Sequence, residues 1–144
     1  MKKIALLALA TLLMSGCSST VNIDAAPEAN NPACANVTVR LPSDVESMKK
    51  RVTGSQATGA WGDPAHILLR CGLPAVYAST LQCVTASGVD WLVDDSKAPS
   101  FRFITFGRKP AVEVIVDSRV ASGASVLDAL APSVQFLPVT RTCS

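Results

Sequence analysis

Histidine is nearly absent from this chain, occurring once, at His66, and aromatic residues make up only 5% of it. One imidazole cannot build a histidine-rich metal centre, and with the cysteines oxidised it has no thiol to activate. There is no G-x-S-x-G, K-T-G or S-D-N element, so the usual hydrolase and penicillin-recognising signatures are missing. No C-x-x-C pair occurs, which argues against a structural zinc site. The apolar run at residues 4–13, broken only by Thr11, falls short of the about 20 residues a lasting membrane span needs. No cofactor-binding motif is present, and no metal or cofactor is expected.

That short apolar run has a different use. Lys2 and Lys3 precede it, and small residues Ser15 and Gly16 follow it before Cys17. This is the layout of a secretory signal. Leu13-Met14-Ser15-Gly16-Cys17 resembles a bacterial lipobox, at which the signal is cut and the cysteine is lipidated. Met14 stands where Leu is usual. Residues 1–16 are therefore read as signal peptide, Cys17 as a lipid attachment site, and residues 17–32 as a flexible tether. The protein is expected at the extracytoplasmic face of the cell membrane, held by the lipid on Cys17. Removing Lys2 and Lys3 brings the 13 basic residues level with the 11 acidic ones. A near-neutral domain has no broad electrostatic attraction for nucleic acid, and none is expected as a partner.

Export changes the meaning of the other cysteines. Cys34, Cys71, Cys83 and Cys143 are an even number in an oxidising compartment and favour two disulfides. Spacing leaves all three pairings open. The expected arrangement is Cys71 with Cys83, closing a short loop, and Cys34 with Cys143, tying the ends of the domain together.

Residues 33–144 carry the pattern of one folded domain. Val37, Val39 and Leu41 alternate with polar neighbours, predicting a first strand over 36–41. Ser43 and Glu46 make a capping box for a helix over 43–52, with Val45, Met48 and Val52 on one face. Further strands are predicted at 65–71, 81–85, 89–93, 101–106 and 111–116. Ser87-Gly88 is a hairpin turn, and residues 107–110 connect the last two of these strands. In that final strand Val112, Val114 and Val116 face one way and Glu113 the other. Ser125 and Asp128 cap a short helix ending before Pro132, and 134–139 forms an edge strand that can tolerate Pro138. Strands dominate without regular alternation with helices. The fold class is α+β: a mainly antiparallel sheet with two short helices packed on it and two disulfides.

Five short motifs in order carry a family resemblance: Pro32-Ala33-Cys34, Ala60-Trp61-Gly62-Asp63-Pro64, Leu69-Arg70-Cys71-Gly72, Gly88-Val89-Asp90-Trp91, and Phe106-Gly107-Arg108 with Pro110. Together they resemble an actinobacterial secreted lipoprotein family, domain of unknown function 3515. The resemblance implies an exported lipoprotein and no activity.

Chemistry-bearing clusters are few. Ser47 to Lys50 spells S-x-x-K, but on the predicted helix both residues point away from the packed face. Asp90, Asp94 and Asp95 are consistent with a strand end running into an acidic loop. Trp61, Asp63, Arg70 and Arg108 form the candidate binding set, with Trp61 and Arg108 expected on one turn-built surface. The expected function is a non-catalytic binding module for an envelope protein or cell-wall component. The competing class is a small extracytoplasmic cell-wall hydrolase.

Overall fold

A computed structural model describes residues 19–144. The expected signal peptide and the expected lipidation site at Cys17 lie outside the described residues. Among those described, eight strands form one antiparallel sheet with two helices packed on one face, an α+β fold. In chain order the elements are α1 (Pro32–Thr38), β1 (Asp44–Val45), β2 (Met48–Arg51), β3 (Thr58–Trp61), β4 (Ile67–Leu73), β5 (Gln82–Ala86), β6 (Val89–Asp94), β7 (Ser100–Thr105), β8 (Ala111–Asp117) and α2 (Gly123–Val134). The sheet runs β1-β2-β3-β4-β8-β7-β6-β5, so the last strand in sequence, β8, sits at the centre between β4 and β7.

The alternation read from β4 and β8 sets the two faces. Ile67, Leu69 and Cys71 lie opposite Val116, Val114 and Val112, and all six are buried against the helices. Trp61, Trp91 and Phe103 extend this core sideways, and Leu127, Leu130 and Val134 of α2 cover it. The opposite face carries Leu68, Arg70, Glu113, Ile115 and Arg102.

Three local predictions fail for identifiable reasons. Residues 36–41 are not a strand: Asn31 accepts a hydrogen bond from the Ala33 amide, and Pro32 sits in the first turn of α1. An N-cap followed by Pro is a helix start, and Cys34 and Val37, three apart, bury together while Val39 stays exposed. Residues 43–52 are not a helix. Glu46 and Ser47 both take positive φ, 47° and 65°, which turns β1 tightly into β2. Val52, on the supposed apolar face, is exposed, and the S-x-x-K serine lies at this turn. The edge strand expected at 134–139 is mostly absent, because α2 carries on through Pro132 to Val134 and leaves only a single bridge between Val139 and Arg108. Its cap is Ser122, whose side chain accepts from the Ser125 amide, not Ser125 itself.

The tether is also corrected. Residues 19–31 lie along the domain as a strap. Val21 pairs with Thr53, Arg51 donates to the Ser19 carbonyl at 2.8 Å, and the Glu28 amide donates to the Gly72 carbonyl at 2.8 Å. Ala26 and Ala29 are buried. Gly72 makes the crossing feasible. Its φ is +112°, it interrupts the β4–β8 register, and a Cβ there would come within 2.5 Å of the strap backbone.

The disulfides pair differently from expectation. Cys34 bonds Cys71, with Cα atoms 5.6 Å apart, and Cys83 bonds Cys143, at 6.0 Å. The first pins α1 to the centre of the sheet. The second pins the C-terminal tail to edge strand β5. The short Cys71–Cys83 loop does not form because Cys71 points into the helix-covered core and Cys83 belongs to the opposite face.

Candidate functional site

The face of the sheet away from the helices is roofed only at its sides. On one side the strap crosses near Ile23 and Gly72. On the other, Leu73, Val76, Leu81, Cys83 and Phe106 close a small apolar cluster over Leu92, Ile104 and Ala111. Between these covers a groove remains, floored by β4, β8 and β7.

Glu113 stands in that floor. It is directly opposite Arg70 on β4, and Arg102 is one residue pair further along β7, opposite Ile115. Alternation places all four side chains on the same face. The Nε atoms of Arg70 and Arg102 each donate to one carboxylate oxygen of Glu113. Glu113 has a side chain only 4% exposed, whereas the arginines are 31% and 36% exposed. The carboxylate is thus sealed beneath two guanidinium groups whose outer parts face solvent. Burial pushes the Glu113 carboxyl up, but the hydrogen bonds from Arg102 and Arg70 outweigh it and hold it below the ordinary range. The terminal nitrogens of both arginines donate no hydrogen bond to protein among the described residues.

Above this cluster lies a cavity of about 360 Å³, with Asp94, Lys97 and Ser100 in its wall. A second hollow of about 170 Å³ shares Arg70, Glu113 and Ile115 and adds Ile23, Asp24 and Leu68. A third, of about 320 Å³, continues over Leu68 and Ile115 to His66, Asp117 and Arg119. Ile115 borders all three, so they form one groove across the central strands.

The third hollow contains a serine, a histidine and an aspartate, and their order decides what they can do. Ser100 pairs with Asp117, and the Asp117 amide donates to the His66 carbonyl at 3.0 Å. Asp117 therefore lies between the other two. The backbones of Ser100 and His66 are two strand spacings apart, about 9–10 Å, and no hydrogen bond joins their side chains among the described residues. A general base must come within about 3 Å of the hydroxyl it activates. His66 approaches Asp117 at 3.5 Å, but the Asp117 carboxylate is chiefly held by Arg119, which keeps it well below the usual carboxylate range.

A family description, "Protein of unknown function (DUF3515)", matches residues 3–140. The chain belongs to the DUF3515 family. No curated protein and no solved structure matches it. Within this DUF3515 chain the four candidate binding residues do not make one surface. Trp61 is fully buried, its indole Nε1 donating to the Pro42 carbonyl at 3.0 Å. The sequence Trp61-Gly62-Asp63-Pro64 reads as a turn, yet Trp61 is the last residue of β3 and faces the helices. Asp63 is exposed and pairs with Arg51 at 3.0 Å. Arg108 is buried between β7 and β8, donating to the carbonyls of Leu137 at 2.8 Å, Gln135 at 3.0 Å and Gly88 at 3.4 Å. It lies near the Ala111 end of β8, whereas Trp61 neighbours Ile67 and through it Val116, at the other end. The expected Trp61–Arg108 surface does not exist.

Only Arg70 of that set lines the groove. Its partners Glu113 and Arg102 were absent from the candidate set. The signal for Glu113 was present, as the one acid inside the valine run at residues 112–116. Arg102 gave none, because a cation in an alternating strand ordinarily points to water.

The aspartates singled out in sequence serve separate structural ends. Asp90 accepts from the Thr85 hydroxyl and the Cys143 amide, and Asp94 caps the loop at the Ser96 amide.

Proposed function

We propose that this chain is a membrane-anchored envelope lipoprotein whose domain is a non-catalytic binding module, reading an envelope protein or cell-wall component with its open sheet face. The observation that carries the reading is the Arg70–Glu113–Arg102 cluster, a buried acid holding two half-exposed arginines at the floor of a groove. Arginine is the cation most used at interfaces, and one fixed by a buried partner loses little freedom on binding. The lipobox-like Leu13-Met14-Ser15-Gly16-Cys17 and the two disulfides support export and anchoring at the extracytoplasmic face. Two acyl chains on Cys17 suffice for stable attachment, at about 0.8 kcal/mol per buried CH₂.

The hydrolase alternative draws less support. Glu113 is held ionised by its arginines and cannot donate a proton at neutral pH, and Asp117 stands between His66 and Ser100, which share no hydrogen bond among the described residues.

Fractionation and crosslinking test the proposal. Wild-type protein is expected in the membrane fraction, and Cys17→Ser in the medium or as uncut precursor. A photoreactive residue in place of Ile115 is expected to capture an envelope component from intact cells that one in place of Val52 does not. Membrane retention of Cys17→Ser, equal capture from both positions, or turnover of a wall fragment abolished by Glu113→Gln would overturn it.

A further inference from the structure

The geometry of the groove points to a ligand class. We propose that Arg70 and Arg102 form a seat for a singly charged oxyanion, a carboxylate or a phosphodiester, borne on a molecule whose aliphatic arm lies against Ile23, Leu68 and Ile115. This deepens the binding reading of the open sheet face and rests on it.

Each arginine gives its Nε to Glu113, which leaves the terminal nitrogens, the donors best suited to an incoming oxyanion, without a protein acceptor among the described residues. Glu113 is almost fully buried and lies in the cavity floor, where it fixes the guanidinium planes from below. It is a positioning residue. The two guanidinium groups come from β4 and β7, with β8 between them, and both line the same cavity of about 360 Å³.

Charge sets the valence of the ligand. The cavity wall holds three cations, Arg70, Arg102 and Lys97, against two acids, Glu113 and Asp94. Within the seat one positive charge is left over, matching one negative charge, and Asp24 beside the adjoining hollow disfavours any further negative charge on the arm. Shape sets the rest: the adjoining hollow of about 170 Å³ shares Arg70, Glu113 and Ile115 with the seat, and adds the apolar side chains of Ile23 and Leu68 and, at its rim, the exposed Asp24. A bare inorganic ion would leave that apolar surface wet, whereas an aliphatic group beside the anion covers it. The strap supplies Ile23, so the arm site exists only while residues 19–31 lie on the sheet.

The test uses the purified full chain, amide NMR and calorimetry at low salt. N-acetyl-alanyl-alanine supplies a carboxylate with methyl arms, its C-terminal amide removes the charge, N-acetyl-glycyl-glycine removes the arms, and glycerophosphoglycerol supplies a phosphodiester. At least one charged probe is expected to saturate and to shift the amides of Arg70, Arg102 and Ile115 while leaving Lys49 and Lys50 unmoved. The neutral amide is expected to bind at least about tenfold more weakly, since hydrogen bonds to a charged acceptor are about twice as strong as neutral ones. A tighter carboxylate identifies a peptide or sugar acid as the source, and a tighter phosphodiester identifies a polymer or lipid headgroup. Arg102→Lys keeps the charge and the ion pair but loses the fork, and is expected to weaken binding about tenfold with its fold intact. Lys97→Gln, at the rim, is expected to weaken it only about twofold. Equal binding of acid and amide, wild-type affinity in a folded Arg102→Lys, or no shift in the groove amides with any probe at about 10 mM overturns the seat. If crosslinking at Ile115 still captures a component in that case, the binding role of the face survives and its ligand is neutral.

Discussion

Arg70 and Glu113 occupy directly opposed positions on β4 and β8, and the guanidinium Nε of one donates to the carboxylate of the other on the face away from the helices. Arg102 holds the second carboxylate oxygen from β7. Three central strands are thereby cross-linked by one buried acid. Glu113→Gln keeps the shape and removes the charge. It should lower stability by about 1–2 kcal/mol, less than a fully buried pair would lose because both arginines are about a third exposed and screened. Chemical denaturation of the variant checks this.

The same pair predicts a pH dependence. The Glu113 carboxyl is held below its ordinary range in the folded protein. An unfolded glutamate titrates near about 4.3. A group depressed on folding contributes stability that is complete above the unfolded value and is lost as pH falls through the folded one. The melting temperature of wild type should therefore drop more steeply below about pH 4 than that of Glu113→Gln, and the two curves should converge in acid. Parallel curves would show that the pair contributes nothing through its charge.

Arg108 should behave as part of the core. It is 5% exposed and donates to three backbone carbonyls from the β5–β6 turn and the segment after α2. Burial disfavours its charged form, and nearby Asp90 partly offsets this. Arg108→Ala leaves those carbonyls without their donor and should cost about 2–3 kcal/mol. A melting temperature unchanged from wild type would contradict the buried geometry. Trp61→Ala should cost about 3–5 kcal/mol for the same reason of position.

Non-reducing peptide mapping should recover Cys34 linked to Cys71 and Cys83 linked to Cys143. The closed loops differ in sequence separation, 37 against 60 residues. In the chain-entropy model each contributes about 4 kcal/mol, so reduction should lower the melting temperature markedly. Replacing Cys83 and Cys143 together by Ser should free the C-terminal tail to exchange faster than α1, which stays tied through Cys34. Recovery of a Cys71–Cys83 peptide would refute this connectivity.

The strap makes its own prediction. Gly72→Ala inserts a Cβ against the strap backbone at a φ that L residues rarely adopt. Limited proteolysis should cut near residues 24–30 sooner than in wild type, and the Ile23 side of the groove should open.

The five strands from β4 to β8, and the hairpin turn at Ser87-Gly88, were legible because they alternate over a buried sheet and β4, β5 and β7 run into Gly or Pro turns. So was the oppositely directed Glu113 among Val112, Val114 and Val116. These features depend on periodicity and turn chemistry, which a local stretch of chain carries by itself. Residues 36–41 and 43–52 were misread because so few apolar positions fit both periods: Val45 and Met48 serve a two-residue hairpin as well as a helical face. There the cap at Asn31 and the positive φ at Glu46 and Ser47 decided, and their consequence depends on what the sheet edge can pair with.

Pairings between distant segments lay beyond the sequence altogether. The even count of four cysteines after Cys17 pointed to two disulfides, but which sulfurs meet depends on face: Cys34 and Cys71 share the helix-covered core, while Cys83 and Cys143 meet on the other side. The same holds for the groove. Arg70, Arg102 and Glu113 are spread over three strands, and only the return of β8 between β4 and β7 sets the two cations on one acid. Residue identity determined the chemistry available, and strand order decided which side chains share a face, because contact across a sheet depends on register and not on distance along the chain.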